Sequence, residues 1–465
     1  MTVAITDKSG TFRPMLWLAM PVLAEESLNL LVIYTDWWLV GHYLPGVKYK
    51  AEMGLMASMM WLVPSLFSAV AIGATALIAR SVGAGDRAAA SRIANQAVSL
   101  GIVFAIAVTS IVFFFSSRFV HWMQLEAEAA NLAGNYLRTI ALVIPLIMVE
   151  QIAAACLRGA GDTVSGFLAK SVVNVVNVFV SASLVTGWGP FPKLGWQGVA
   201  IGTAVGHGSG GLILLVLLVY GRGGLRIRWS AMRPHANDLR RLLRIGLPGG
   251  GDTLIVIGCH LIYLSIINRL GVLPAAAHGL GVQIEALAYL PGSAFYVAAA
   301  TITGQSLGAG DPRRAVRGTL ESLLVGGAVM SCAGLAFFFA GDWLAAFFTG
   351  DRHDPAGVVA AKLLKISAIC VPSLAVLSIV TGSLRGAGDT LWPLACTLFG
   401  FFVIRIPLAM WLAWDQINLP FGWGVIAGCG FGVFGAWWAM AGDLILRSLL
   451  LLWRFWHGGW QRRSV

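Results

Sequence analysis

The sequence predicts an all-α integral membrane protein whose twelve transmembrane helices form two parallel six-helix repeat lobes around a central cleft. Three observations support this fold class. Hydrophobic residues make up 58% of the 465 positions and charged residues only 11%, with a mean hydropathy of +0.79. Apolar segments of about 20 residues, the length that crosses a bilayer, recur along the chain. Finally, two motifs each occur twice, in the same order.

The repeated motifs indicate a duplication. Leu-Arg-Gly-Ala-Gly-Asp-Thr occurs at Leu157–Thr163 and again at Leu384–Thr390, 227 positions later. A Gly-Ala-Gly-Asp sequence ends both Val82–Asp86 and Leu307–Asp311, which are 225 positions apart. Two markers with the same order and nearly the same spacing indicate an internal repeat. We expect each to form a turn in which Gly ends one helix and Asp caps the next.

The apolar segments divide into six on each side of a Gly- and Arg-rich stretch that contains Pro234. This division predicts an N-terminal lobe at 1–220, a cytoplasmic linker at 221–240 and a C-terminal lobe at 241–465. Six helices return the chain to its starting side, so the two repeats are expected to be parallel. The predicted spans are 15–43, 55–80, 93–117, 129–157, 163–187, 195–220, 241–269, 277–307, 317–340, 356–384, 391–415 and 430–454.

The formal net charge of +11 comes from basic residues that lie mostly in alternate predicted loops. This distribution is typical of the positive-inside rule and not of a nucleic-acid surface, so we expect no nucleic-acid partner. It places both termini in the cytoplasm and predicts a multi-pass protein of the bacterial inner (plasma) membrane. The six cysteines occur singly, which favours neither disulfides nor a metal site. We expect a monomer in the lipid bilayer.

Further motifs join the repeats in a characteristic order along the chain. They are Thr-Asp-Trp-Trp-Leu-Val-Gly at 35–41, Gly-Leu-Gly-Val-Gln-Ile-Glu-Ala-Leu-Ala-Tyr-Leu-Pro at 279–291, Gly-Gln-Ser-Leu-Gly-Ala-Gly-Asp at 304–311, Arg-Ile-Pro at 405–407 and Arg-Phe-Trp-His-Gly-Gly-Trp at 454–460. With these motifs, nearly the whole chain resembles the MATE (multidrug and toxic compound extrusion) family of secondary transporters. The resemblance implies efflux of organic cations or drugs in exchange for protons or sodium, by rocker-switch alternating access. It implies no enzymatic activity and no cofactor.

Two departures from the family pattern affect the coupling ion. Members of this family often have an Asp four positions after an Asn in the fifth helix, but here Ser181 follows Asn177 at that spacing. The acidic residue that some sodium-coupled members have in the tenth helix has no equivalent between Lys365 and Arg385. The sequence therefore leaves the coupling ion open between H⁺ and Na⁺.

Acidic residues inside predicted spans are the main candidates for coupling and substrate binding, because a charge in hydrocarbon is costly unless it is paired, hydrated or neutralised. Glu25 and Asp252 each lie four residues after a proline, at matching places in the two halves. A helix-end role is the alternative for Glu25. Its neighbour Glu26 points about 100° away around the helix and is expected to be structural. The candidate acids are Asp36, Glu25, Asp252 and Glu285.

Polar side chains on the fifth predicted helix are spaced to share one face that could meet Asp36. These residues are Lys170, Asn174 and Asn177. His260 lies two turns beyond Asp252 and could join a proton path. We expect all four to support the candidate acids and not to bind substrate directly, with helix-to-helix hydrogen bonding as the alternative role.

Aromatic and methionine side chains on the first, second, seventh and eighth predicted helices could line the substrate cleft. Flat organic cations bind well to aromatic faces, and Met adapts to varied shapes. The alternative for any one of these residues is ordinary contact with lipid or protein. The cleft candidates are Trp37, Met60, Tyr263 and Tyr289, and the predicted substrates are small amphiphilic cations.

Three other functions are less consistent with the sequence. A flippase for a lipid-linked or amphiphilic metabolite would need a strongly cationic cavity, whereas acids are at least as prominent as bases here. A membrane-embedded enzyme would need converging nucleophile, base or metal ligands, and no His-rich or His/Cys cluster occurs. A channel would need a selectivity loop, which has no counterpart in this sequence.

Overall fold

The computed structural model describes residues 10–44, 62–122, 127–418 and 424–463, which are almost entirely helical. A π-helix at Phe399–Arg405 lies between the α-helices Leu391–Leu398 and Ile406–Ala413. Short 3₁₀ turns occupy Arg222–Gly224, Trp229–Ala231 and Gly459–Arg462. An antiparallel ribbon pairs β1, Gln416–Asn418, with β2, Val425–Ala427. The α-helices are α1 Phe12–Tyr43, α2 Ser68–Gly83, α3 Arg87–Trp122, α4 Ala127–Ala141, α5 Ile144–Gly159, α6 Val164–Thr186, α7 Trp196–Val219, α8 Ala236–Asn268, α9 Val272–Gly308, α10 Pro312–Thr349, α11 Pro355–Gly386, α12 Leu391–Leu398, α13 Ile406–Ala413 and α14 Gly432–His457.

The predicted all-α membrane fold is confirmed. Within the described ranges, ten helical segments are long and apolar enough to cross a membrane. The helices at 133–141 and 144–159 make an eleventh if they are taken as one bent span. α2 is shorter, and the start of its predicted span at 55–80 lies outside the described residues.

Two predicted spans are interrupted in the structure. The predicted helix 129–157 bends by 56° between α4 and α5. Pro145 stands at the second position of α5, where its missing N–H and fixed φ suit a helix start but not a helix interior. The predicted helix 391–415 contains the π-helical turn at Phe399–Arg405. Such a local insertion shifts the helical register of the residues that follow it.

The chain forms two compact units. Unit 1 contains residues 17–250 and 308–310, and unit 2 contains the remaining described residues. The division falls inside α8, and the predicted linker at 221–240 packs on unit 1. There the Arg222 Nε atom lies 2.7 Å from Asp162 Oδ2, and the Gln96 amide donates to the Arg233 carbonyl at 2.8 Å. The predicted lobe boundaries remain predictions.

The glycines of the repeated Leu-Arg-Gly-Ala-Gly-Asp-Thr turn have the predicted geometry, but the predicted cap forms only in the first copy, because Asp389 in the second copy pairs with Arg454 at 2.8 Å. Gly161 and Gly388 adopt equivalent left-handed φ values of 86° and 82° at the ends of α5 and α11. This conformation has little steric cost for glycine alone. In the same motif, an Asp162 carboxylate oxygen accepts the backbone N–H of Ser165 at 3.1 Å, which caps α6.

Glycines also allow close helix contacts at matching places in each unit. A methyl group at Gly159 on α5 would lie 2.8 Å from the carbonyl oxygen of Thr75 on α2. A methyl group at the equivalent Gly386 on α11 would lie even closer to the carbonyl oxygen of Ala300 on α9. Small residues of this kind let membrane helices pack backbone to backbone. These contacts therefore fix the α2–α5 and α9–α11 spacing within each unit.

We expect Gly386→Val to lower the thermal unfolding temperature of the protein in detergent, because its side chain would overlap the Ala300 backbone. Overpacking of this kind costs about 1–3 kcal/mol. Gly327→Val is the matched control, since a Cβ there meets no atom within 4 Å. Equal melting temperatures for the two variants would contradict the proposed close contact.

Candidate functional site

Asp36 is a buried carboxylate in unit 1 that forms no ion pair with any described basic residue. It lies on α1, and its residue exposure is 6%. Its Oδ2 atom accepts a hydrogen bond from the Thr203 hydroxyl on α7 at 3.1 Å. Its Oδ1 atom is buried and has no hydrogen-bond partner among the described residues. Asp36 is therefore a buried carboxyl group without a balancing positive charge in the described part of the chain.

Other buried oxygens lie on the helix that faces Asp36. The Asn177 amide on α6 donates to Thr203 at 3.3 Å, which links the predicted polar face of this helix to Asp36. The Oδ1 atoms of Asn174 and Asn177 and the Oγ atom of Ser181 have no hydrogen-bond partner. Buried polar atoms are normally hydrogen-bonded, so we include this group of oxygens in the candidate site around Asp36.

Sequence reasoning missed Thr203, the residue that connects α7 to this site. A lone Thr in an apolar helix carries no distinguishing pattern, since Thr usually bonds to the carbonyl one turn earlier. Thr203 does so as well, at 3.0 Å from Val199 O. Its additional contact with Asp36 depends on how α1 and α7 pack.

Lys170 forms an ion pair with Glu150 on α5 and not with Asp36. The second oxygen of Glu150 lies 2.7 Å from His207 Nδ1 on α7. Glu150 was not predicted as a site residue, although the rule that buried membrane acids are functional candidates applies to it as well. This Glu150–Lys170–His207 group is called the unit 1 triad below.

Glu25 and Asp252 each form an ion pair with an arginine of the repeated motif. Arg158 Nη2 lies 2.5 Å from Glu25 Oε1. Arg385 pairs with Asp252 and also donates to the Tyr296 hydroxyl at 3.0 Å. The two members of each pair are 133 positions apart. The duplication has therefore preserved the same internal ion pair in both units.

Glu285 lies in unit 2 and accepts a hydrogen bond from the Ser367 hydroxyl at 2.7 Å. A second buried group in this unit was not predicted as a site. Asp443 on α14 lies 2.8 Å from Arg405 Nε and 2.7 Å from Arg447 Nη2, with all three residues buried. Both guanidinium groups lie over the Phe401 ring, at 4.6 and 4.7 Å.

The remaining candidates differ in exposure. Trp37 and Tyr289 are 38% and 42% exposed, whereas Tyr263 is buried with a hydroxyl that has no partner. The exposed His260 bonds to the Val256 carbonyl on its own helix at 2.9 Å, and its ring lies 5.8 Å from Phe401. His260 forms no hydrogen bond or ion pair with Asp252 in the described part of the chain. Met60 lies outside the described residues.

We expect Arg385→Met to destabilise the protein more than the double variant Asp252→Asn/Arg385→Met. Removing one partner of a buried pair leaves an uncompensated charge and costs about 3–5 kcal/mol, whereas the double variant leaves none. Lys365→Met is the control, because Lys365 and Asp342 form an exposed pair at 4.0 Å that contributes little. The measurement is the thermal unfolding temperature of each of the three variants in detergent. A double variant that is no more stable than Arg385→Met would contradict the ion pair between Asp252 and Arg385.

The chain was compared with known families and structures. The MatE family profile matches residues 21–182 and 249–411, one match in each half. A probable multidrug resistance protein NorM from Thermotoga maritima is 28% identical over 96% of this chain and 93% of its own. A probable multidrug resistance protein NorM from Burkholderia pseudomallei is 26% identical over 94% of this chain and 91% of its own.

Solved structures show the same fold. One is an outward-facing multidrug resistance MATE transporter of the MOP superfamily, with a TM-score of 0.86 at 18% identity over 98% of both chains. Another, a MOP superfamily transporter from Pyrococcus furiosus, has a TM-score of 0.87 at 19% identity over 98% of both chains. The repeats, the all-α membrane fold and the family match lead to one conclusion: the chain belongs to the MatE family of multi-pass membrane transporters and is not an enzyme.

Proposed function

We propose that this transporter exports small amphiphilic organic cations in exchange for protons, and that Asp36 is the coupling residue. The names of the relatives from Thermotoga maritima and Burkholderia pseudomallei, both probable multidrug resistance proteins, support multidrug efflux. The observation that carries the proposal for Asp36 is its burial at 6% exposure without a basic partner. Its charge is free to be balanced by either of two ligands.

The exchange follows from competition at one carboxylate. A proton and an organic cation each neutralise Asp36, but they cannot both do so. If the protonated and substrate-bound forms favour opposite-facing conformations, the difference in affinity is enough to couple the two fluxes. Desolvation favours the neutral form of any buried carboxyl group.

The free oxygens around Asp36 favour a proton as the coupling ion. A proton on Oδ1 turns this atom, which has no hydrogen-bond partner among the described residues, into a donor, and the unpartnered oxygens of Asn177 and Ser181 on α6 are candidate acceptors. The site contains Ser181 and not a second carboxylate, which leaves less negative charge to hold sodium.

The other predicted acids take different roles in this proposal. Glu25 and Asp252 are each neutralised by an arginine, so they contribute by holding helices together. Glu285 is buried and hydrogen-bonded to a hydroxyl, so it is the acid of unit 2 that can assist substrate or proton binding. The exposed aromatic faces of Trp37 and Tyr289 can stack on flat cations.

We also propose the location and the assembly of the protein. The alternation of basic loops supports a protein of the bacterial inner membrane with both termini in the cytoplasm. A single chain contains both repeat halves and the whole Asp36 site, which supports a functional monomer.

Asp36→Asn should abolish the proton release that ethidium binding causes in weakly buffered detergent solution, because the amide carries no exchangeable acid proton. Glu26→Gln is the matched control on the same helix, since the one hydrogen bond that Glu26 forms with the described residues is accepted from Asn29, at 3.1 Å. Normal ethidium-dependent proton release by Asp36→Asn would remove Asp36 from the mechanism.

Ethidium counterflow in proteoliposomes tests the coupling ion. We expect a pH gradient, acidic on the side that receives ethidium, to drive accumulation, and an imposed sodium gradient at constant pH to have no effect. Asp36→Asn should lose the pH-driven component. Accumulation of ethidium driven by a sodium gradient alone would contradict proton coupling. It would not contradict the proposal that the protein exports organic cations.

A further inference from the structure

The unit 1 triad lies next to the Asp36 site on the same helices. His207 follows Thr203 by one turn of α7, and Lys170 precedes Asn174 by one turn of α6. Asn174 donates to the Lys170 carbonyl at 3.0 Å and keeps a free Oδ1 atom. Polar groups therefore continue from Asp36 along both helices to the triad. The coupling mechanism proposed above does not use this group.

The geometry of the triad determines which nitrogen of His207 carries a proton. Glu150 and Lys170 form a buried ion pair, with both side chains 5% exposed, so Glu150 is ionised. A carboxylate accepts hydrogen bonds, which means that His207 Nδ1 is the donor over 2.7 Å. The lone pair of the neutral ring is then at Nε2. No described residue hydrogen-bonds to Nε2, and the side chain is 12% exposed.

This arrangement makes Nε2 a base. A carboxylate that holds one imidazole nitrogen as a donor orients the ring, and it stabilises the imidazolium formed when the other nitrogen is protonated. Lys170 prevents Glu150 from taking the proton itself, because its ammonium already balances that carboxylate.

The charges facing His207 allow it to hold one proton. Glu150 on α5 and Lys170 on α6 are the charged groups in contact with it or its partner. From α1, Asp36 reaches α7 through Thr203, and Tyr136 faces the same hydroxyl from α4. The ion pairs Glu25–Arg158 and Glu150–Lys170 are each neutral, so neither opposes a proton on His207.

We propose that His207 is a second proton-binding residue, which receives the proton displaced from Asp36 by substrate and passes it to water. In this step the O–H bond of Asp36 breaks and an N–H bond forms at Nε2, giving an imidazolium that Glu150 stabilises. The Nε2 proton then leaves to water and restores the neutral ring. In this proposal the proton crosses through water beside the unpartnered oxygens of Asn174 and Asn177 on α6. This inference rests on the proposed function of Asp36.

Nitrogen-15 NMR of histidine-labelled protein tests this assignment directly, with tetraphenylphosphonium as the probe. We expect the probe to raise the imidazolium population of one histidine at neutral pH, in a ring that stays protonated at Nδ1. The signal should be absent from His207→Gln, present in His260→Gln and unresponsive to the probe in Asp36→Asn. If no histidine of the wild-type protein changes its protonation state, the proposal is wrong, whether or not the variants fold.

Transport kinetics provide the second measurement. His207→Gln should retain ethidium binding at pH 8 but slow ethidium exchange driven by a pH gradient by about tenfold or more, because a positioned acid–base group is lost. His457→Gln, at the exposed end of α14, should exchange at the wild-type rate. If His207→Gln exchanges at that rate while Asp36→Asn is inactive, the relay is wrong and the coupling role of Asp36 stands. If Asp36→Asn also exchanges normally, the proposed function itself fails.

Discussion

The cost of an unbalanced charge in the interior of a membrane protein governs the arrangement of the polar residues in this fold. An isolated ion away from water is destabilised by several kcal/mol, so buried ions persist in pairs. Glu25, Glu150, Asp252 and Asp443 each meet a basic side chain. Asp36 is the buried acid of unit 1 for which the described residues provide only hydroxyl and amide neighbours. In the proposed mechanism, the same cost that favours pairing elsewhere favours binding of a proton or a cation by Asp36.

The duplication separates structural charges from functional ones. Asp252 follows Glu25 by 227 positions, the repeat spacing, and both are paired with the arginine of the repeated turn. The pair recurs because each unit needs the same helix contact. The position 227 residues after Asp36 is Tyr263, whose ring lies 5.8 Å from the Arg405 guanidinium. Asp36 is therefore not duplicated. The buried acid of unit 2 that meets no described basic side chain in an ion pair is Glu285, which lies at a different position of the repeat.

The sequence predicted features that depend on composition and local pattern, namely the helices, the repeat and the capped turns. It did not predict the partners of the buried acids, because an ion pair between α1 and α5 depends on packing across 133 positions. Glu150 and Asp443 were not predicted as site residues, although each is an acid in an apolar span, because neither lies in one of the repeated or family motifs. Thr203 could not have been found, because its side chain also makes the ordinary contact of a helical threonine.

In the proposed mechanism, the absence of a basic partner at Asp36 among the described residues also accounts for obligatory exchange. If Lys170 paired with Asp36, the carboxylate would be stable without a ligand and the empty transporter could change conformation freely. Instead, Lys170 is held by Glu150, so the empty, ionised Asp36 is the costly state. A carrier that must pass through this state to return without cargo is slowed by that cost. Binding either a proton or a substrate removes the cost, and the two fluxes are coupled because one of the two ligands must always be bound.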